Sequence, residues 1–162
     1  MIQDINRVLY ASDLGESSKQ AFYMAVNEAA KHNAQLIFLH VVEPANAATK
    51  TLVEGYLSSP GLAEMRAEGI DKLKALMTDR IETFCLEELM DKPLQQQPIT
   101  RLEEGPAAET IIKVADELQA DLIVMGSRTR THSLLGRFFL GSAAQAVLQL
   151  SDRPVLIVPI KE

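Results

Sequence analysis

The sequence predicts an α/β fold: a five-stranded parallel sheet in the order 3-2-1-4-5 with helices on both faces. The main observation is that short apolar runs alternate with segments of helical periodicity along the whole chain. A second is that residues 35–42, QLIFLHVV, form an almost unbroken apolar run, as is typical of a strand buried on both faces of a parallel sheet. Strands and helices that alternate in this way are joined by right-handed crossovers in a Rossmann-like sheet.

The bulk composition fits one folding unit. The chain has 162 residues, of which 47% are hydrophobic and 23% charged, so we expect a single domain over residues 1–162 with a full core. A formal net charge of −6 argues against nucleic acid as a partner. No secretory signal or membrane-spanning run is evident, and the single cysteine, Cys85, excludes an internal disulfide. These features predict a cytoplasmic protein that does not bind a membrane.

The first half of the chain has the pattern strand, helix, strand. Residues 7–12, RVLYAS, predict the first strand, and residues 35–42 the second. Between them Ser17 and Ser18 offer a cap for a helix that ends near Asn33 and has these apolar positions at helical spacing: Phe22, Ala25, Val26 and Ala29. After the second strand, residues 43–60 predict a long loop, and residues 62–90 predict a helix with one apolar face.

The second half repeats the alternation. Residues 98–104 predict a weaker third strand, and a helix follows Gly105-Pro106. The remaining segments are a fourth strand at residues 122–125, a helix at residues 142–150 and a fifth strand at residues 154–160, PVLIVPI. In the predicted order this apolar fifth strand lies at an edge of the sheet, where an uncovered strand invites pairing with another chain. We therefore expect a homodimer through Pro154 to Ile160.

The loop after the fourth strand suits an anionic ligand. Gly126 lets the backbone approach a ligand without an intervening Cβ, and Ser142, after Gly141, can cap a helix whose first-turn N–H groups attract anions. No acidic residue lies between Asp121 and Asp152, and this interval contains three arginines: Arg128, Arg130 and Arg137. Phosphate is therefore a candidate ligand, and the alternative is an ordinary loop with solvated arginines.

The strand order brings further polar groups to this loop. Ligands of open α/β sheets bind beyond the carboxyl ends of the strands where the strand order reverses, here between strands 1 and 4. Ser12 and Asp13 would then face Gly126 and Ser127, and Val41 would complete the wall. An ionised Asp13 can accept a hydrogen bond from a ribose hydroxyl, and the backbone around Val41 can bond an adenine edge. A helix cap for Asp13 and core packing for Val41 are the alternatives.

Two other side chains with potential chemistry are expected to be structural. His40 lies inside a buried strand pattern, which favours a hydrogen-bonded core histidine over a ligand or catalyst. Cys85 lies in a helical pattern without a nearby histidine, which favours a buried or inert thiol over a nucleophile.

The ordered set of segments resembles the universal stress protein family. The resemblance rests on RVLYASD at 7–13, LIFLHVVE at 36–43, EEGPAAETIIKVADELQADLIVMGSR at 103–128 and LGSAAQAVLQLSDRPVLIVP at 140–159. It implies the strand order given above, in a sheet like that of the adenine nucleotide alpha hydrolases, homodimers commonly joined through the last strand, and a role in the stress response.

One branch of that family binds ATP through a glycine pattern: a glycine after strand 4, a second three residues on, nine further residues, then Gly-Ser or Gly-Thr. Gly126 and Gly141-Ser142 match, whereas Thr129 replaces the second glycine and eleven residues follow it. The resemblance implies ATP or AMP, with or without Mg²⁺, with Asp13 at the ribose and Val41 at the adenine. The candidate site residues are Ser12, Asp13, Val41, Gly126, Arg128, Arg130, Gly136, Gly141 and Ser142, of which Gly136 could supply the flexibility of the missing glycine.

Two functions follow from these observations. The first is a dimeric regulator that binds an adenine nucleotide, which Asp13, Val41, Gly141-Ser142 and the arginine-containing loop favour. The second is a platform that does not bind nucleotide and recognises an unknown protein partner, which Thr129 and the longer loop favour. An enzyme is less well supported, because no base stands beside a nucleophile. At most we expect slow ATP hydrolysis, with Mg²⁺ held by the phosphates and Asp13.

Overall fold

The computed structural model describes residues 3–12, 19–42, 94–127 and 141–160, together with positions 71, 72, 74, 75, 78, 79, 82, 83, 85–87 and 89. The predicted loop of residues 43–60 lies outside these ranges, as do residues 13–18 and 128–140 and more than half of the predicted helix of residues 62–90.

The strands form one parallel sheet. They are β1 (Arg7–Ser12), β2 (Gln35–Val42), β3 (Ile99–Glu104), β4 (Leu122–Gly126) and β5 (Val155–Val158). Their order is β3-β2-β1-β4-β5 and every pairing is parallel, so the predicted topology is confirmed. β5 is shorter than the predicted strand of residues 154–160. The strand lies between Pro154 and Pro159, which have no backbone N–H to donate to a ladder.

The helices connect the strands as predicted. They are α1 (Lys19–Lys31), α2 (Ala107–Glu117) and α3 (Ser142–Leu150), and the described residues between 71 and 87 are also helical. α1 is followed by Asn33 at a φ of 52°, a left-handed conformation that asparagine tolerates and that ends helices. Gly105, before α2, has a φ of 150° and would bring a Cβ to 2.7 Å from Thr110 Oγ1, so this turn requires glycine. None of the helices described is long and apolar enough to cross a membrane.

Successive strand residues face two apolar layers, one on each side of the sheet. On one side Tyr10 and Phe38 pack with Phe22 of α1, with ring centroids 5.0 Å apart for Tyr10 and Phe38 and 5.5 Å for Tyr10 and Phe22. The buried Cys85 belongs to the same layer, as expected for a structural thiol. On the other side residues such as Leu9 pack with α2 and α3. Helices therefore cover both faces of the sheet, as predicted.

Two arginines tie the amino ends of the strands to the end of α2. Arg7 donates from Nη1 to the carbonyl of Leu118, and Arg153 donates from Nε to that of Ala120, each over 2.7 Å. The Asp121 carboxylate accepts from the backbone N–H of Arg7 at 3.1 Å. Positive groups are favourable at a helix C-terminus, where carbonyls lack partners within the helix.

β5 lies at the edge of the sheet and has one side without a strand partner in the described chain. The carbonyls of Pro154 and Val158 accept from the N–H groups of Ile123 and Ser127 at 3.0 and 2.9 Å, so they point toward β4. Because backbone groups alternate in direction along a strand, the N–H and C=O groups of the intervening odd-numbered residues 155 and 157 point outward.

Candidate functional site

The carboxyl ends of β1 and β4 meet in the middle of the sheet. Ala11 is paired with Met125, so Ser12 and Gly126 are the next residues of two adjacent strands. α1 follows β1 on one face of the sheet, and α3 follows β4 on the other. The two connections therefore diverge here, which is the arrangement that opens a crevice at the edge of an α/β sheet.

Ser127 joins both ends of the loop that separates β4 from α3. Its carbonyl accepts a hydrogen bond from the N–H of Gly141 at 2.8 Å, and its own N–H donates to the carbonyl of Val158 at 2.9 Å. Its Oγ accepts from the N–H of Ile160 at 3.0 Å. Ser127 and Gly141, the described residues on either side of positions 128–140, are thus hydrogen-bonded to each other beside β4, and the same serine also holds the chain that follows β5.

The first turn of α3 lies at this junction. Gly141 is the N-cap residue, with φ −58° and ψ 150°, and its carbonyl accepts from the N–H of Gln145 at 3.0 Å. Ser142 is the first residue of the helix, and no side-chain cap bond is present at this end of the described helix. The prediction that Ser142 caps α3 is therefore wrong. The hydrogen bond between Gly141 and Ser127 places the capping position one residue earlier.

Gly126 has a packing role that the sequence did not suggest. A Cβ at this position would lie 2.7 Å from Cδ1 and 2.9 Å from Cγ1 of Ile160. The absent side chain therefore makes room for Ile160. The sequence also predicts that this glycine lets a ligand approach the backbone. That would be a second role, and the Ile160 contact does not depend on it.

His40 contacts the end of the neighbouring strand. Ser12 and His40 are opposite each other in the pairing of β1 with β2, and His40 Nδ1 lies 2.8 Å from the Ser12 carbonyl oxygen. The half-buried ring is thus hydrogen-bonded within the sheet, as expected for a structural histidine. The contact falls on Ser12, the last residue of β1, at the carboxyl end of the strand.

Val41 and Glu103 form the neighbouring part of this edge. Val41 is half-buried and packs against the apolar layer under α2 and α3, so it has the core contact considered as its alternative role. Its partner across the sheet is Glu103, whose Oε1 accepts from Arg101 Nε at 3.0 Å and from Nη2 at 2.6 Å. Arg101 also binds Glu117 at 2.8 Å, and these two carboxylates raise the pKa of its guanidinium.

Four of the predicted site residues lie outside the described ranges: Asp13, Arg128, Arg130 and Gly136. Of the others, Ser12, Gly126, Gly141 and Ser142 surround the junction of β1, β4 and α3, and Val41 lies one strand further along the same edge. Within the part of the chain that is described, no group of three or more histidine, cysteine, aspartate or glutamate side chains could hold a metal ion.

Comparison with known proteins agrees with this architecture. Residues 4–159 match the model of the universal stress protein family. The chain belongs to that family. A universal stress protein of Thermus aquaticus is 32% identical to it over 151 residues, which cover 93% of this chain and 96% of the relative. The family relationship therefore extends over nearly the whole of this universal stress protein.

Solved structures show the same fold. The protein MJ0577 of Methanocaldococcus jannaschii superposes with a TM-score of 0.76 at 25% identity, covering 99% of both chains. A universal stress protein solved in complex with cAMP superposes with a TM-score of 0.58 at 26% identity, covering 98% of this chain and all of the other. Both share the five-stranded α/β architecture of this universal stress protein.

Three residues whose contacts lie at the carboxyl ends of these strands were not among the candidate site residues: Ser127, Ile160 and His40. Ser127 was placed at the end of the fourth strand, but its bond to Ile160 joins residues 33 positions apart. Ile160 was assigned to the fifth strand on its apolar character alone. His40 could have been found from its position opposite the end of the first strand. The predicted strand order implies that position, whereas the pattern of apolar residues does not.

Proposed function

We propose that this universal stress protein binds an adenine nucleotide, ATP or AMP, at the carboxyl ends of β1 and β4 and acts in the cytoplasm as a homodimeric regulator. The observation that carries this proposal is the 2.8 Å hydrogen bond from the Gly141 N–H to the Ser127 carbonyl. It brings the first turn of α3 to the end of β4, beside Ser12 on the adjacent strand. A nucleotide phosphate at that point would lie near the positive end of a helix.

The same hydrogen bond keeps the first turn of α3 beside β4 although the intervening segment is longer than the family pattern. The loop is two residues longer than the ATP-binding pattern of the family and has Thr129 in place of a glycine. Because Ser127 and Gly141 are bonded directly, the two ends of the loop are as close as one hydrogen bond allows, whatever its length. The extra residues do not separate Gly126 from α3.

The charge pattern is favourable for phosphate. α3 has no acidic residue in its first turn, and the chain between Ser127 and Gly141 contains arginines and no carboxylate. We assign the phosphate end of the ligand to Arg128, Arg130 and this helix terminus. Arginine suits this role because its planar guanidinium can bind phosphate oxygens in pairs.

The adenosine end is assigned to the neighbouring strands. Asp13 directly follows Ser12 in the sequence and would accept from a ribose hydroxyl, and Val41 would pack on the adenine. The relative solved with cAMP supports an adenine nucleotide as the class of ligand, since cAMP contains adenine, ribose and phosphate groups as ATP and AMP do. Mg²⁺, where it accompanies ATP, would be carried by the phosphates.

We further propose that two chains pair through β5. This strand is at the sheet edge, its residues Val155, Leu156 and Ile157 are only half-buried, and the adjacent helix α3 exposes 46% of Leu148 and 54% of Leu150. A two-fold pairing would cover both copies of the edge at once and bury apolar surface, which stabilises association.

The test is to release small molecules from freshly purified protein, identify them by mass spectrometry, and titrate the protein with ATP, with and without Mg²⁺, and with AMP in a calorimeter. We expect about one nucleotide per chain or binding in the micromolar range, weakened roughly tenfold or more by Asp13→Asn because a hydrogen bond to a charged acceptor is lost. Asp152→Asn is the matched control, since Asp152 is 84% exposed and precedes β5 at the opposite end of the sheet. Protein that is purified without nucleotide and does not bind ATP or AMP would contradict the proposal and favour a platform for a protein partner.

A further inference from the structure

We infer that Ser127 is a positioning residue for the phosphate end of the nucleotide site. Its hydroxyl takes the place of its own carbonyl in the ladder of the sheet, and so leaves that carbonyl to hold Gly141 and the first turn of α3. This inference rests on the proposed function, which assigns phosphate to that turn. Ser127 does not contact the ligand in this account.

The ladder between β4 and β5 changes its acceptor at Ser127. The Ser127 N–H donates to the Val158 carbonyl at 2.9 Å, as expected after the pairing of Gly126 with Val158. In a regular parallel ladder, the carbonyl of the same residue would accept from the N–H two residues further along the partner strand. That N–H belongs to Ile160, and it donates instead to Ser127 Oγ at 3.0 Å. The side chain has therefore replaced the carbonyl as the acceptor.

The carbonyl that this exchange releases holds the start of α3. It accepts from the N–H of Gly141, the N-cap residue, at 2.8 Å, and the Gly141 carbonyl in turn accepts from Gln145 at 3.0 Å. The N–H groups of residues 142–144 precede the first hydrogen bond of the helix, and such groups bind phosphate oxygens. The bond between Ser127 and Gly141 therefore fixes the position of these N–H groups relative to β4.

The hydroxyl is needed because the Ile160 N–H requires an acceptor. Ile160 is 7% exposed, its side chain occupies the space beside Gly126, and the ring of Pro159 restricts the backbone that leads to it. Leaving a buried N–H without a partner is unfavourable. Without the hydroxyl, the carbonyl of residue 127 is the acceptor that the ladder offers to Ile160. A carbonyl turned toward Ile160 would bind Gly141 less well.

The test compares Ser127→Ala, which removes the hydroxyl, with Ser127→Thr, which keeps it, by calorimetric titration with three ligands. They are Mg-ATP, tripolyphosphate, and adenosine, which has no phosphate. We expect the Ala variant to bind Mg-ATP and tripolyphosphate about tenfold more weakly, and adenosine within about twofold of wild type. The Thr variant should stay within about threefold of wild type for all three ligands.

Ser151→Ala is the matched control for the loss of a serine hydroxyl. Ser151 Oγ donates to the Arg153 carbonyl at 2.8 Å and accepts from the Arg153 N–H at 3.1 Å, at the other end of α3. We expect this variant to keep the wild-type affinity for every ligand.

Amide hydrogen exchange measured by NMR tests the contact without any ligand. We expect the Gly141 amide to exchange about tenfold faster in Ser127→Ala than in wild type or Ser127→Thr, because its hydrogen bond is weakened. The amide of Ser151 donates to the Val147 carbonyl at 2.8 Å and is the internal reference. Its rate should be the same in all variants of Ser127.

The outcomes separate this inference from the proposed function. If wild type binds Mg-ATP and Ser127→Ala binds it equally well, or if the Gly141 amide of that variant exchanges at the wild-type rate, the inference is overturned and nucleotide binding stands. If adenosine is weakened as much as tripolyphosphate, Ser127 supports the fold generally and the inference is likewise overturned. If wild type binds neither ATP nor AMP, the proposed function falls and the inference falls with it.

Discussion

Ile160 occupies the space that a side chain on Gly126 would need. A Cβ built on Gly126 would lie 2.7 Å from Ile160 Cδ1 and 2.9 Å from Cγ1, closer than packed atoms approach. Ile160 is only 7% exposed, so its side chain cannot turn away without losing its burial. The end of β4 and the chain after β5 therefore require one of these two positions to be small.

Gly126→Ala should lower the free energy of unfolding by about 1–3 kcal/mol, because the added methyl forces Ile160 out of its packed position. Urea denaturation monitored by circular dichroism measures this. Ile160→Ala should also destabilise the protein, by removing buried methyl and methylene groups. The double variant should lose less stability than the sum of the two single changes. Strictly additive losses would show that the two residues do not compete for one space.

Ser127→Ala should destabilise the protein by about 1 kcal/mol and weaken Mg-ATP binding, because it removes the acceptor for the Ile160 N–H. Ser127→Thr keeps the hydroxyl and is the matched control. Urea denaturation and calorimetric titration give the two quantities. Equal behaviour of the Ala and Thr variants would mean that the hydroxyl does not support the loop, and that the two backbone bonds of Ser127 are sufficient.

Ile157→Pro should convert a dimer into a monomer while leaving the pairing of β5 with β4 intact. The N–H of residue 157 points outward, since the flanking carbonyl of Val158 faces Ser127 on the β4 side. Proline is tolerated at such an outward position of an edge strand, but it removes a donor that a second chain would use. The measurement is molar mass by light scattering after gel filtration.

The matched control for that experiment is Ile157→Ala, which loses the side chain and keeps the N–H. We expect it to remain dimeric at concentrations where the Pro variant is a monomer. A dimeric Pro variant with an unchanged thermal melt would place the interface elsewhere. A wild-type protein that is itself a monomer would contradict the proposed homodimer.

Cys85 should resist alkylation in the folded protein. Burial, with a smaller contribution from the charge of Glu82, raises the pKa of its thiol from 9.0 to about 11. Since the thiolate is the reactive form, iodoacetamide at pH 8 should modify the native protein roughly 100-fold more slowly than the urea-unfolded chain. Mass spectrometry of quenched samples gives the two rates.

Charge variants test the cause of that shift. Glu82→Gln should lower the pKa of Cys85 and speed native alkylation, whereas Glu87→Gln should leave the rate unchanged, since Glu87 is not among the causes of the shift. Similar native and unfolded rates would contradict the buried placement of the thiol. The folded state keeps the thiol proton to a higher pH than the unfolded state does. The contribution of Cys85 to the free energy of unfolding is therefore completely present below about pH 9 and is lost as the pH rises toward 11.

Local patterns in the sequence predicted most of the fold. β2 at residues 35–42 and α3 at residues 142–150 have the predicted bounds, because an unbroken apolar run and a helical run after a glycine are both signals contained within a few residues. The strand order followed from the alternation of strands and helices and from the family resemblance. Boundaries were less accurate where proline intervenes, as at β5, since loss of a donor shortens a ladder without changing the apolar pattern.

The sequence predicted the location of the candidate site in the fold but not the contacts between its residues. Topology alone implied that Ser12 and Gly126 end adjacent strands, and the register of β1 with β4 agrees. The cap predicted for Ser142 was wrong, since Gly141 takes that position, and the contact between Gly126 and Ile160 was not predicted. Both differences arise from partners that are distant in sequence.

The sequence by itself determined which segments form strands and helices, which faces are apolar, and which segment contains arginines and no carboxylate, because those properties depend on spacing and charge along the chain. Only the tertiary structure decided that Ser127 closes that loop against Gly141, that Ile160 fills the space beside Gly126, and that His40 holds the Ser12 carbonyl. Each of these contacts requires a distance of a few ångströms between separate elements. Such distances depend on the register of the sheet and on how the segments pack, which no local pattern specifies.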